Sequence, residues 1–335
     1  MDTQQIVLAS RPTGTPTLDN FRLENKVLPG LQDGEVLLRG MYYSVDPYMR
    51  GRMNDAESYV PPFQINQSIT GTVIGKVMMS KSTDFEAGDI VSGNLPWQVQ
   101  TIVPAKGLSK IDESNAPISY HLDVLGMTGL TAYFGLMAIG KPKAGETLVV
   151  SGAAGAVGLV VGQIAKIYGC HVVGIAGSDE KVKLLKEKYG FDDAINYKTA
   201  TDIKAAVAKA CPKGVDIYFD NVGGEISDAA ISNINFHARI PLCGQISLYN
   251  STDAPVGPRL QPMLLTRSVL MQGFIVSNFK DQFPEGIKQL SKWLTEGKLK
   301  FEQTTVHGFD QLPTAFISLF KGANIGKMIV EAAVS

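Results

Sequence analysis

Three glycines at spacing three, Gly152, Gly155 and Gly158, stand where a β-branched run gives way to a helical apolar period. The run Thr147 to Val150 (TLVV) reads as a strand buried on both faces, and Val157, Val160, Val161, Ile164 and Ile167 then recur at helical spacing. At such a junction the unpaired N–H groups of the first helical turn and the helix dipole favour an anion, and glycine lets it approach the backbone closely. Gly152, Ala153, Ala154, Gly155, Ala156, Val157 and Gly158 therefore form a candidate cradle for the pyrophosphate of a dinucleotide. Ala153 takes the first position of the strict G-x-G-x-x-G pattern, so the glycines alone also fit a tight strand-to-helix turn of some other α/β protein. The β-α-β order around them decides for the dinucleotide.

The following strand, His171 to Ala176, ends where the adenosine ribose should be read. A site for NAD would place Asp or Glu there, about 20 residues beyond the glycines. Gly177 and Ser178 occupy that corner instead and Lys181 follows, leaving room and positive charge for a 2′-phosphate. NADP(H) is the expected cofactor. Ser178 also suits a helix cap, with Asp179 and Glu180 on the helix dipole, and the two roles are compatible.

The elements that position these residues continue to alternate. Strands are expected at Ala194 to Tyr197, Val215 to Phe219, Arg239 to Cys243 and Val269 to Val276, with helices between them, which is a doubly wound layout. Ligands of such sheets bind at the carboxyl ends of the strands, where Asn221, the Cys243 to Tyr249 segment and Phe274 to Val276 should meet. A helix is expected over Leu122 to Ile139; its glycines Gly126 and Gly129 imply a close approach, either by the nicotinamide end of the cofactor or by another helix. The last amphipathic helix runs from Phe283 to Leu299, and strands at Thr304 to His307 and Lys327 to Val330 either extend the sheet or return to the N-terminal part.

Residues 1 to about 120 have no long helical period; short runs such as EVLLRGMYYSV, ITGTVIGKVMM and Ile90 to Val103 suggest an antiparallel β-barrel. Tyr48 and Arg50 lie on the loop SVDPYMRG that leaves the first clear strand, and are candidates for function or, equally, for barrel packing and surface charge.

The 335 residues allow two domains, and 31 basic against 32 acidic side chains give no tract suited to nucleic acid. No apolar run reaches the roughly 18 residues of a membrane span, and the N-terminus lacks a secretory pattern, so a cytoplasmic protein is expected. Cys170, Cys211 and Cys243 are too scattered for a disulfide framework or a Cys-x-x-Cys zinc lobe. The segment 1–120 contains neither Cys nor His, and His121, His171, His237 and His307 fit no ligand spacing, so no metal is expected.

VSGAAGAVG, GSDEK, NYK, FDNVGG, CGQISLYN, KGANIGKMIV and SVDPYMRGRM together resemble the zinc-independent medium-chain dehydrogenase/reductases, along essentially the whole chain. The nearest group is the NADPH-dependent alkenal and enone double-bond reductases, which holds the prostaglandin reductases, plant 2-alkenal reductases and bacterial curcumin reductases; LQPMLLTRSVLMQGFI points to the bacterial members. The resemblance implies a GroES-like β-barrel (1–122), a Rossmann domain (123–299), a C-terminal return to the barrel (300–335) and a homodimer. It places the pyrophosphate on Gly152 to Gly158 and the 2′-phosphate on Ser178, Lys181 and Tyr197. It gives the ribose and nicotinamide to Asn221, Cys243, Gly244, Gln245, Ser247, Phe274, Ile275, Val276 and Asn324, bordered by Met127 and Thr128. Tyr249 and Tyr48 match the tyrosines of the family's substrate pocket.

The expected chemistry is reduction of the C=C bond of an α,β-unsaturated aldehyde or ketone by NADPH, an oxidoreductase reaction on a CH–CH donor. Tyr249 would stabilise the enolate oxygen and Tyr48 would orient the substrate. Two other readings share the glycine turn: an NADPH:quinone oxidoreductase, and a non-catalytic NADPH-binding protein. Loops 54–64 and 250–258 would set the pocket size.

Overall fold

The computed structural model of the chain describes residues 1–113 and 116–332. The first strands pair antiparallel. β1 (Asp2–Leu8) and β2 (Phe21–Val27) form a hairpin. β3 (Glu35–Ser44) leads through α1 (Met49–Arg52), a single turn, to β4 (Thr70–Ser80), β5 (Ile90–Pro96), β6 (Gln100–Pro104) and the short β7 (Ser109–Lys110). Their inward residues Val36, Leu38, Tyr43, Val73, Val91 and Trp97 share one core with Met49 and Met53. The β1–β2 hairpin escapes the sequence reading because β2 buries only Phe21 fully and so has no apolar alternation to detect.

The helix expected over 122–139 is broken. A 3-10 turn covers Ile118–Leu122, α2 spans only Met127–Phe134, and the chain then widens into a π-type turn over Gly135–Gly140. The glycines mark the break, and the protein neighbour that crowds Gly129 is not a second helix. A Cβ on Gly129 would sit 1.9 Å from the carbonyl oxygen of Val124, so the close neighbour is the loop that enters the helix. A Cβ on Gly135 would meet the rings of Phe274 at 2.3 Å and Phe219 at 2.9 Å.

Alternation of strand and helix then builds a parallel sheet. β8 (Thr147–Ser151), α3 (Ala156–Ile167), β9 (His171–Ala176), α4 (Asp179–Glu187), β10 (Asp193–Asn196), α5 (Ile203–Ala210) and β11 (Val215–Phe219) follow in turn. α6 (Gly224–Ser232), β12 (Ile234–Leu242), α7 (Gln261–Thr266) and β13 (Leu270–Gly273) complete it. The strand order is β10-β9-β8-β11-β12-β13 with every pair parallel, which is the order of a dinucleotide-binding sheet. Every residue of β8 is buried, as its β-branched composition requires.

Two expected strands have different limits. β12 begins at Ile234 rather than Arg239, through a register shift at which His237 adopts a φ of 59°. β13 ends at Gly273 rather than Val276: the Asn278 side chain accepts the Ile275 N–H (3.0 Å) and starts a 3-10 turn over Val276–Gln282, while Phe274 turns inward.

α8 (Phe283–Thr295) stops short of Leu299 because the chain reverses at Gly297, with a φ of 67°. β14 (Gln303–His307), α9 (Leu312–Leu319) and β15 (Lys327–Glu331) end the chain, and β15 pairs antiparallel with β3, so the tail returns to the N-terminal sheet. The chain divides into one unit of Met1–Leu122, Thr304–Asn324 and Met328 onward, and a second of Asp123–Gln303 with Ile325–Lys327.

Because a side chain at Gly129 must displace backbone rather than a flexible neighbour, Gly129→Ala should cost about 1–3 kcal/mol of stability. Urea unfolding checks this; an unchanged midpoint would mean that the entry loop yields freely.

Candidate active site

The glycine-rich turn is shaped by close contacts. Gly152 holds a φ of 59°, and a Cβ on Gly158 would lie 2.4 Å from the Gly152 oxygen and 2.7 Å from the Ala153 Cα, so only glycine lets α3 start directly against β8. Ala153 is pinned to β9 by its N–H to Ile175 O (3.0 Å), and Ala154 O accepts the N–H of Gly326 (2.8 Å). α3 begins at Gly155 with no side-chain cap, leaving the N–H groups of Ala156, Val157 and Gly158 in its first turn for an external acceptor. Gly155, Ala156 and Val157 are half-buried, within reach of a phosphate.

At the next corner Ser178 caps α4 by accepting the Lys181 N–H (3.3 Å). Burial, and then the neighbouring Lys198, push the Lys181 ammonium below its ordinary pKa. Tyr197 lies against Gly177, where a Cβ would be 3.0 Å from the ring. Asp179 is engaged by the Asn196 amide at 2.7 Å, and Glu180 is the carboxylate that opposes the downward shift of Lys181. Two cations that repel each other around a capped serine and a tyrosine make a site that a dianion would relieve. Lys198 was not singled out from NYK, because the sequence alone does not reveal that it faces Lys181.

The carboxyl ends of β8, β11 and β12 converge on one buried carboxylate, Asp220, which is 0% exposed. Its Oδ1 accepts from Ser151 Oγ (3.2 Å), Tyr218 OH (2.9 Å), Val222 N (3.0 Å) and Gly223 N (2.9 Å). Its Oδ2 accepts from Ser227 Oγ (2.9 Å) and Gln245 Nε2 (3.2 Å). Its backbone carbonyl takes the N–H groups of Cys243 (2.9 Å) and Gly244 (3.1 Å). Asn221 brackets Ser151, its N–H on Oγ (2.9 Å) and its amide on the carbonyl (2.8 Å). Ser247 Oγ donates to Val222 O at 2.7 Å. The structure thus joins Asn221, Cys243, Gly244, Gln245, Ser247 and Tyr249, as expected, around an Asp the sequence reading passed over. The available signal was a charged residue ending the apolar strand VDIYF, a place that burial forbids unless donors surround it.

The phenol of Tyr249 folds back over this segment, and its oxygen accepts the Gln245 N–H at 3.2 Å. Burial pushes its pKa above the ordinary tyrosine value, against the opposing effect of that N–H, so the group is protonated at neutral pH. Cys243 is pushed up to about 12 by burial, with Asp220 adding to the shift, so it is a thiol and no nucleophile. Phe274 packs edge-on to Phe219 at 6.2 Å, with Ile275 and Val276 half-buried beyond it. Thr128 donates to Asp123 Oδ1 (3.2 Å) at the start of α2, beside half-buried Met127. Asn324 stands two residues ahead of Gly326, which is bridged to Gly155.

In the barrel unit Tyr48 is half-buried against the core, and its hydroxyl is pushed well above the tyrosine range by burial and Asp46, opposed by the adjacent Arg52. Arg50 is not a surface charge: it is 3% exposed and donates to Gly14 O (2.8 Å) and Asn54 Oδ1 (2.6 Å), pinning two loops. The guanidinium next to Tyr48 belongs to Arg52, held over the Phe63 ring at 4.0 Å. Among the described residues no group of three or more His, Cys, Asp or Glu could hold a metal ion, and no helix is long and apolar enough to cross a membrane.

The sheet order, the uncapped glycine turn and the two cations at Lys181 and Lys198 are the features of a dinucleotide-binding domain and fit a dinucleotide bearing a 2′-phosphate. Comparisons with known proteins narrow the class. Residues 4–111 match a family described as the N-terminal domain of oxidoreductase, and residues 156–292 one described as zinc-binding dehydrogenase. The chain is 44% identical to the NADPH-dependent curcumin reductase of Escherichia coli over 332 residues, covering 98% of this chain and 96% of that one. It is 42% identical to the NADP(+)-dependent 2-alkenal reductase of Nicotiana tabacum over 334 residues, covering 98% and 96%. The crystal structure of CurA from Vibrio vulnificus in complex with NADPH superposes with a TM-score of 0.95 at 45% identity, covering 99% of this chain and 100% of that one. The chain belongs to the zinc-independent medium-chain dehydrogenase/reductases, in their alkenal and enone reductase group.

Replacing Lys181 by Ala removes a cation from the ribose corner and should raise the KM for NADPH by about 10- to 100-fold, the value of one charge-assisted contact. The KM for NADH, which lacks the 2′-phosphate, should stay within about twofold. Equal rises for both nucleotides would place Lys181 outside the phosphate site.

Proposed function

We propose that the chain is an NADPH-dependent reductase of the C=C bond in α,β-unsaturated aldehydes and ketones, an oxidoreductase acting on a CH–CH group. The observation that carries this reading is the Tyr249 hydroxyl: its oxygen accepts the Gln245 N–H, and among the described residues its proton has no acceptor. That leaves a protonated phenol free to donate at the carboxyl ends of the strands.

NADPH, when bound, supplies the hydride for the β-carbon. The residues of the chain do the rest. The glycine turn and the lysine corner hold the dinucleotide, and Tyr249 donates to the carbonyl oxygen as negative charge grows there. Its raised pKa suits a donor that keeps its proton until the enolate has formed, and the α-carbon then takes a proton from Tyr249 or from water. Tyr48, also kept protonated by burial, is assigned the orienting of the substrate. A homodimer is part of the same reading, supported by the edge position of β13 in its sheet.

The test is NADPH oxidation with a medium-chain 2-alkenal, an α,β-unsaturated ketone and a simple quinone, followed by mass spectrometry of the products. Saturated aldehyde and ketone are expected. Turnover of the quinone alone would make the chain a quinone reductase, and tight NADPH binding without turnover would make it a non-catalytic binder. Tyr249→Phe should lower kcat by about 10- to 1000-fold, as expected for loss of one oxyanion donor; full turnover in that variant would refute the assignment.

A further inference from the structure

Building on the assignment of Tyr249 above, we propose that Asp220 is a positioning residue for that tyrosine and that Gln245 is the link through which it acts. Asp220 is itself out of reach of any ligand, 0% exposed and ringed by donors. One of those donors is the Gln245 side chain (3.2 Å), and the backbone N–H of the same residue is the group that Tyr249 OH accepts (3.2 Å). Gln245 therefore faces the buried carboxylate with its side chain and the phenol with its main chain.

The space around this link is cleared by two glycines. Gly223 holds a φ of 74°, and a Cβ there would lie 2.3 Å from Gln245 Oε1, displacing the amide from Asp220. A Cβ on Gly244 would come within 3.2 Å of the Tyr249 hydroxyl. Between them the segment turns on the bond from Leu248 N to Gln245 O (2.9 Å), which brings the tyrosine back over its own loop. An N–H that occupies a lone pair of the phenol fixes where the remaining O–H can point. It also opposes the rise in pKa that burial imposes, so its loss would make Tyr249 both less directed and a poorer donor.

Four proteins test the link: wild type, Gln245→Leu, Tyr249→Phe and the double variant, assayed for kcat and for the KM of NADPH with a 2-alkenal. Gln245→Leu keeps the backbone N–H and removes only the tie to Asp220. It should lower kcat at saturating NADPH about tenfold, and should cost almost nothing further in the Tyr249→Phe background, the non-additivity expected of residues acting as one unit. An equal loss of kcat in both backgrounds, or an unchanged kcat in Gln245→Leu, would overturn the positioning role while leaving the function of Tyr249 intact. Full kcat in Tyr249→Phe would instead refute the underlying assignment, and this inference with it. Asp220→Asn, which puts an amide where donors converge, should repeat the background dependence; the Gln245 variants decide the question even if that protein does not fold.

Discussion

A carboxylate buried at the carboxyl end of a parallel sheet survives only if hydrogen bonds replace its water, and Asp220 has such bonds from every element around it. Ser151 comes from the end of β8, Tyr218 from β11, Ser227 from α6 and Gln245 from the segment after β12. Satisfying this one charge therefore fixes the relative positions of the strand ends that carry the glycine turn and the tyrosine. Such a centre is held by many moderate contacts, so it is rigid without being exposed.

Around that anchor, glycine is used where the backbone must pass very close to something fixed. Gly158 lets α3 lie on the turn that follows β8, Gly129 lets α2 start against Val124, and Gly135 admits the Phe219 and Phe274 rings. The candidate anion site at the start of α3 lies beside the first of these, where the N-cap residue Gly155 has no side chain to cap the first-turn N–H groups. The lysine corner adds charge that the helix dipole alone does not provide.

The strand, turn and helix from Thr147 to Ile167 were legible because buried parallel strands and amphipathic helices have distinct periods and the glycines mark the break. The preference for NADP over NAD was legible from a missing acid and a present lysine. Asp220 was not, since a sequence does not say which charged residue will be enclosed by donors from distant segments. Arg50 and Arg52 lie two residues apart on one loop, and only packing shows that Arg50 pins Gly14 whereas Arg52 borders Tyr48. The limits of the helix over 122–139 are hidden for a related reason: its apolar period continues past Gly135, where the chain widens into a π-type turn.

The proposed chemistry reduces to a donor that stays protonated and a hydride delivered to the β-carbon. The most direct measurement is reduction of a 2-alkenal with NADPH deuterated at its transferable nicotinamide position, followed by location of the label in the product. The account predicts deuterium on the β-carbon of a saturated aldehyde. Deuterium on the carbonyl carbon of an allylic alcohol would show carbonyl reduction instead, and would contradict the central claim.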